Sequence, residues 1–422
     1  MDTQYPPLKD HLFDSLTNRI LVLGWMIYVI FAPIYLFESG LPQPADLIIF
    51  ITAGVTIILF ILKTKLLFNR VFTSLALMAA LFFTINTVNY NYYGDIRFFY
   101  SSLYYIFNAF IFGSTVILFK NDPQNMLSKA RIAVIASLVL QMAWILLFDS
   151  NSDYRETGSF NNPNQLGYWA MLSSCYLLII NYGRRMPWID VLGILICTYF
   201  ISESLSRATI ISYALILIVF FIGPYMNMLT RIALLVLFSA YALFQIAVLN
   251  NAEFLIRNFD KIERVVERLE SVQSEDGLIE ERGYERLLNY PQYILYGAGE
   301  GAHWRFNAKA RIQDRGLEVH SGLAAILLGY GLLGFSLFSI FVLTIFQRVP
   351  PILWVTLAAI MAYGITHQHI RFSGFWVYLG LIYAVSRYII PHLGRGFFHP
   401  PQPHRPLSLT KTNEDRATSN PV

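Results

Sequence analysis

The sequence predicts an all-α integral membrane protein of about twelve transmembrane helices with one large extramembrane loop, and three observations predict it. Of 422 residues, 55% are hydrophobic and only 14% charged, against about 25% charged in a soluble domain. Runs of roughly 17 to 20 apolar residues, enough to cross a ~30 Å hydrocarbon core as helix, recur along almost the whole length. Basic residues are segregated between alternate connections. No soluble catalytic domain is left over, and no nucleic-acid partner is expected.

Spans are predicted at 20–37, 47–62, 71–87, 99–119, 132–148, 165–180, 188–203, 208–223, 232–249, 321–346, 352–366 and 373–390. The residues before Ile20 are polar and mixed in charge, and the apolar stretch that follows lacks a small-residue cleavage site. It therefore reads as a retained first helix and not as a signal peptide. With the N-terminus in the cytoplasm, the inside connections hold seventeen Lys and Arg, whereas the short outside loops hold four: Arg97, Arg155, Arg207 and Arg371. This bias sets the orientation, with both termini cytoplasmic. The chain then divides into helices one to nine (1–249), a large outer loop (250–319), helices ten to twelve (320–390) and a Pro-rich, polar, disordered tail (391–422). In a bacterium the loop faces the periplasm or the outer face of the inner (plasma) membrane. Within it, Leu255, Phe259, Ile262, Val266 and Leu269 recur at steps of four and three, which predicts an amphipathic helix on the membrane surface or capping the bundle.

The polar residues with chemical potential cluster on that outer side. Arg207 opens the eighth span in SLSRATI, against the avoidance of positive charge in short outer loops. It is either an interfacial anchor or a residue facing the bundle interior. Arg282 and Arg286, in ERGYERLLNY, share a face if helical. They suit phosphate oxygens as bidentate, permanently charged donors, or else form a solvated salt-bridged helix with Glu280, Glu281 and Glu285. Gly297 to Gly301, GAGEG, lack the strand-turn-helix setting of a nucleotide loop; they serve tight backbone packing or present amides to an anion. In EVHS, Glu318 and His320 stand at the threshold of the tenth span. His320 is a general-base candidate, with a polar helix cap as its bland reading and Glu318 as a possible orienter. His367 and His369 in THQHIR point to different faces and lack further ligands at zinc-like spacing. In GYGLLGF, Gly329, Gly331 and Gly334 allow close helix contact. The aromatic residues of NYNYYGDIRFFY are an interfacial belt. Cys175 and Cys197 lie within spans and read as packing residues. No metal site and no cofactor are expected.

Taken together, TGSFNNPNQLGYWA, SLSRATI, RGYERLLNYPQYILYGAGEG and EVHSGLAAILLGYGLLG, in this order, resemble the O-antigen ligase and polymerase family of bacterial membrane glycosyltransferases. The likeness runs from about residue 70 to 385. It implies a C-type glycosyltransferase-like fold and metal-independent, inverting transfer from an undecaprenyl-diphosphate-linked glycan at the outer membrane face. The acceptor is a glycan or a lipid, and a chain-length regulator is a possible partner besides membrane lipids. It also implies that Arg207 and Arg282 grip the pyrophosphate and that His320 lies near the acceptor hydroxyl or the leaving diphosphate. Tyr284 and Arg286 stand where the family often has a tryptophan, and Ser321 where it has an asparagine, so Arg282 and Arg286 are alternatives for the loop arginine. The polymerase branch is the closer match and ligase the alternative. A proton-coupled secondary transporter is the alternative of another class, although no repeated halves are visible; a regulatory or scaffolding membrane protein is a third.

Overall fold

The computed structural model describes residues 13–63, 69–148, 155–236, 239, 283–306 and 318–393; these contain helices and no strand. The first eight helices are α1 (Ser15–Phe31), α2 (Pro44–Lys63), α3 (Arg70–Tyr93), α4 (Arg97–Asn121), α5 (Pro123–Leu147), α6 (Pro163–Ile180), α7 (Trp188–Ser204) and α8 (Arg207–Ile222). After a helical stretch at 228–236 come the short α9 (Glu285–Asn289) and α10 (Gln292–Tyr296), a 3-10 turn at His303–Phe306, and then α11 (Gly322–Phe346), α12 (Pro351–Thr366), α13 (Ser373–Tyr388) and α14 (Ile390–Leu393). Most of the predicted ninth span, the amphipathic helix over 255–269, Arg282 and the C-terminal tail lie outside the described residues.

Six helices among the described residues are long and apolar enough to cross a membrane: Pro44–Lys63, Arg70–Tyr93, Arg97–Asn121, Pro123–Leu147, Gly322–Phe346 and Ser373–His392. Three shorter apolar helices, Ser15–Phe31, Arg207–Ile222 and Pro351–Thr366, stand beside them. The chain is thus an all-α, membrane-embedded protein. Its exposed surface supports this. On α2, Leu47, Ile51, Ile58 and Leu62 are each more than half exposed, a state disfavoured in water and ordinary in lipid.

Helices α1 and α5 depart from their predicted bounds for visible reasons. Helix α1 begins at Ser15 because the Asp14 carboxylate accepts from the Thr17 amide at 2.7 Å, satisfying a first-turn donor; it stops ahead of Pro33, which cannot continue a helix. Helix α5 begins at Pro123, nine residues before the predicted span at 132, with Asp122 accepting from Asn125 N. Proline at the first position is preorganised for that start.

At the centre lie α4, α6 and α13. Every residue of α6 from Leu166 to Ile180 is buried, as is every residue of α13 from Phe375 to Ser386. Several polar groups inside this core are satisfied locally: Ser173 and Ser174 donate to carbonyls one turn back, and the Trp25 indole donates to Thr115 Oγ1 at 2.9 Å, tying α1 to α4. Cys175 and Cys197 are buried and free.

The fold positions its polar site through a break in α11. Gly331 has φ 66° and ψ −173°, a region essentially reserved for glycine. A break inside a spanning helix frees carbonyls, and an unsatisfied backbone group in hydrocarbon costs several kcal/mol. Here Leu328 O accepts from Ala298 N at 2.8 Å and Gly329 O from Gly299 N at 2.7 Å. Gly297, at φ 80°, approaches so closely that a Cβ there would sit 2.6 Å from Gly329 O. The two glycine motifs are therefore halves of one backbone-to-backbone joint, so the role of GYGLLGF is a helix break and not only close helix packing.

A small apolar cluster of Ala298, Val319, Ala324, Ala325 and Leu328 seals the joint, with Tyr284, Leu287, Tyr293 and Phe306 packed on it.

Candidate functional site at the loop end of the bundle

The joint delivers Glu300 into the bundle. Its amide donates to Asn86 Oδ1 at 2.9 Å on α3, its carbonyl accepts from Ser101 Oγ at 2.8 Å on α4, and its Oε1 accepts from the Tyr105 hydroxyl at 2.7 Å. Oε2 takes the Nε of Arg371 at 2.9 Å and also its Nη2. Glu300 is only 3% exposed, so this bidentate, fully hydrogen-bonded pairing is what makes burial of the carboxylate tolerable.

Arg371, in the connection between α12 and α13, bridges outward. Its Nη1 donates to Glu318 Oε2 at 2.8 Å, and Glu318 Oε1 lies 3.7 Å from His303 Nε2. The Glu318 side chain is 42% exposed against 4% for Glu300, so the network runs from the protein interior to an open face. Burial alone would lower the Arg371 pKa, but Glu300 and Glu318 hold it well above its usual value. Burial would raise that of Glu318, yet the Arg371 guanidinium outweighs it and holds the carboxyl ionised, below its ordinary range. Burial pushes His303 down to about 4; this imidazole is neutral at physiological pH.

Two further arginines flank the network. The Arg305 guanidinium sits 4.7 Å from the ring centres of Tyr93 and Phe306 and 5.5 Å from those of Phe98 and Tyr293. It donates to the carbonyls of Ala298 and Gly299, pinning the joint. Arg286 also packs over the Phe306 ring, at 5.3 Å. It is 3% exposed, its Nη1 has no acceptor among the described residues, and the Glu285 carboxylate lies 3.8 Å from its Nε. Burial lowers its pKa, opposed by Glu285, Tyr290 and Glu318. A buried guanidinium with an unused donor is suited to an anion.

His320 is exposed and stands just outside α11. The capping role goes to its neighbour Ser321, whose Oγ accepts from Ala324 N at 3.2 Å and donates to Gly364 O at 3.1 Å. On the other flank, Val319 O accepts from the Gln368 side chain, so both neighbours of His320 are tied to the end of α12. The same end receives the loop: Tyr284 donates to Ile365 O, and Gly283 packs against Val319.

Arg207 begins α8, which packs along α12. Ser204, just before it, faces Gly167 near the start of α6, and Arg155 links Ser204 O to Asn164 Oδ1, both at 2.9 Å. Asn164 O in turn accepts from the Tyr363 hydroxyl at 3.3 Å, so the α8 start belongs to the same end of the bundle as His320. The structure thus brings Glu318, Arg286 and His320 to one end, with the start of α8 nearby.

His367 caps α12 and stacks on Tyr363 at 4.7 Å. His369 is wholly buried, with neither ring nitrogen hydrogen-bonded, against Gly322 and Gly364. The two histidines diverge, as their spacing predicts. The amides of Ala298, Gly299, Glu300 and Ala302 are all spent on protein acceptors, so GAGEG serves backbone packing and does not present these amides to an anion.

Sequence reasoning missed Glu300, Arg371, His303 and Arg305. One signal was available: Arg371, like Arg207, is a short-loop arginine on the side that disfavours them. Glu300 was hidden among glycines that drew attention to backbone geometry. No protein-family model matches the chain, and no curated protein matches it.

The buried histidines make a pH prediction. His303 and His369 are both pushed down to about 4 by burial, whereas the unfolded imidazoles titrate near 6.5. As pH falls from about 6.5 toward about 4 the unfolded chain takes up protons that the folded chain refuses, so stability is lost by up to ~1.4 kcal/mol per pH unit per group. Thermal unfolding in detergent across that range should show the decline, and His303→Asn should make it shallower; a flat profile would contradict it.

Proposed function

We propose that the chain polymerises undecaprenyl-diphosphate-linked oligosaccharide repeats into O-antigen or exopolysaccharide by inverting glycosyl transfer at the outer face of the inner membrane. The observation that carries this reading is the convergence, at one end of a membrane-embedded bundle, of a buried guanidinium with a donor unused among the described residues (Arg286), an ionised and part-exposed Glu318, and an exposed His320. A lipid-diphosphate glycan brings its own leaving group, so the protein must bind charge growing on the diphosphate, orient the acceptor and remove its proton.

In this reading Arg207 and Arg286 hold the diphosphate, with Arg282 the alternative to Arg286. The acceptor hydroxyl oxygen bonds to the anomeric carbon as the bond from that carbon to the diphosphate oxygen breaks; the hydroxyl proton passes to His320, and the lipid diphosphate departs. Glu318, fixed by Arg371, orients the acceptor side of the site. The donor lipid reaches it sideways from the bilayer, and the twelve-helix topology with cytoplasmic termini belongs to the same proposal.

Purified protein in liposomes with such a donor is expected to extend the glycan, and Arg207→Ala, Arg286→Ala or His320→Ala should each cut the rate by about a hundredfold or more while leaving membrane insertion intact. Normal polymer from all three variants would sink the site assignment. Transfer to lipid A core in place of a second repeat would replace polymerase by ligase. The break at Gly331 favours a second reading, a proton-coupled transporter, since broken helices build transporter sites. Its freed carbonyls Leu328 and Gly329, however, are occupied by Ala298 and Gly299. Dissipation of a solute gradient without glycan transfer would select it.

A further inference from the structure

Helix α10 lies alongside α11 well below the first turn of that helix. Leu295 O is the atom that a Cβ on Gly331 would strike, at 2.5 Å, and Gly331 is the ninth residue after Gly322, about 13 Å along the axis at 1.5 Å per residue. An independent measure agrees. Glu300 N bonds Asn86, which lies seven residues before the end of α3 at Tyr93, about 10 Å in. Helices α3 and α11 have 24 and 25 residues, about 36 Å each, which barely exceeds a ~30 Å hydrocarbon core. With these helices centred on the hydrocarbon core, Leu295 lies several ångströms inside its boundary.

At this depth the segment turns apolar side chains outward. Leu295 is 59% and Tyr296 77% exposed, and Leu332 and Leu333, just past the break on the adjoining α11, are 53% and 59% exposed. The exposed polar residues of the segment, Asn289 and Gln292, come before them in the chain. The amides that follow are spent within the protein: Gly297 N bonds Tyr293 O at 2.9 Å, and the next two amides bond α11. Pairing of donors within the protein is what backbone outside the spanning helices needs at membrane depth.

We propose that the deep end of α10, Leu295 and Tyr296, is immersed in the acyl-chain phase of the leaflet at the loop end, forming with Leu332 and Leu333 one lipid-facing surface. The loop is then partly a membrane-dipping element, whatever chemistry the site performs.

Nitroxide labels at Leu295→Cys and Tyr296→Cys in liposomes test this, with Leu333→Cys as the lipid-facing reference and the buried Cys175 and Cys197 left in place. The expected result is collision with oxygen and loss of collision with a water-soluble nickel chelate at both sites, as at the reference. Chelate access would mean an aqueous vestibule, and shielding from both reagents would mean cover by protein; either overturns the proposal. Should the variants fail to fold, hydroxyl-radical footprinting of the unsubstituted protein in nanodiscs decides: Tyr296 is expected to escape modification despite its exposure, and its modification would overturn the proposal.

Discussion

An Arg371→Ala chain is expected to lose on the order of 3–5 kcal/mol of stability, the cost of leaving a buried charge without its partner. Glu300 is 3% exposed and receives two of the arginine's donors, and the other group that donates to its carboxylate, the Tyr105 hydroxyl, is neutral. Once the cation is gone the carboxylate must either stay charged without compensation or take up a proton. The effect should be largely recovered by Arg371→Met together with Glu300→Gln, because replacing both ends of a buried pair is often close to neutral. Arg371→Lys should fall between, since one ammonium cannot span Glu300 and Glu318 as the guanidinium fork does. Thermal unfolding of the three variants in detergent, beside the wild type, measures all of this; an alanine variant that unfolds at the wild-type temperature would refute it.

The second large effect belongs to Gly331→Ala. A non-glycine residue at φ 66° and ψ −173° carries about 1–3 kcal/mol of strain. The added Cβ would also meet Leu295 O at 2.5 Å and Gly297 N at 2.9 Å, both backbone atoms that cannot swing aside. Helix α11 is expected either to straighten or to expel residues 295–300, and either outcome withdraws the acceptors for Ala298 and Gly299. Trypsin should then cleave after Arg305, which is held in its aromatic surround only while the joint is closed. Gly54→Ala is the control. Nothing lies within 4 Å of its Cβ position, so it should be neutral or slightly stabilising, by up to ~1 kcal/mol. Wild-type proteolysis of the Gly331 variant would argue against the joint.

Much of the helical layout was legible because lipid imposes a length and an apolarity on each span. The predicted 47–62, 188–203, 352–366 and 373–390 fall on α2, α7, α12 and α13 with few end residues displaced. Polar first turns were harder to see. In α5 the residues PQNMLSKAR look like a connection by hydropathy, although the signal was present in Asp122 and Pro123.

The break at Gly331 was not legible, because the apolar pattern of α11 runs through it unchanged; only a partner elsewhere in the chain, residues 295–299, explains it. The same holds for the site. His320 and Glu318 stood out as titratable groups against an apolar run, yet the group that fixes Glu318, Arg371, lies 53 positions on, and Glu300 is 71 positions from the arginine that neutralises it. Such pairs have no local signature. The cap reading of His320 was off by one residue, since serine with its short acceptor side chain does that work better.

The joint between residues 297–299 and the broken helix also constrains how the protein is made. Ala298 and Gly299 emerge from the ribosome before Leu328 and Gly329, the acceptors they need, and an irregular segment with unpaired amides has no reason to partition into lipid alone. Residues 295–300 must therefore dock late, from the loop side, after α3, α4 and α11 have assembled a groove for them. Until then Glu300 and Arg371 remain apart, and biogenesis ends on the closure of that pair.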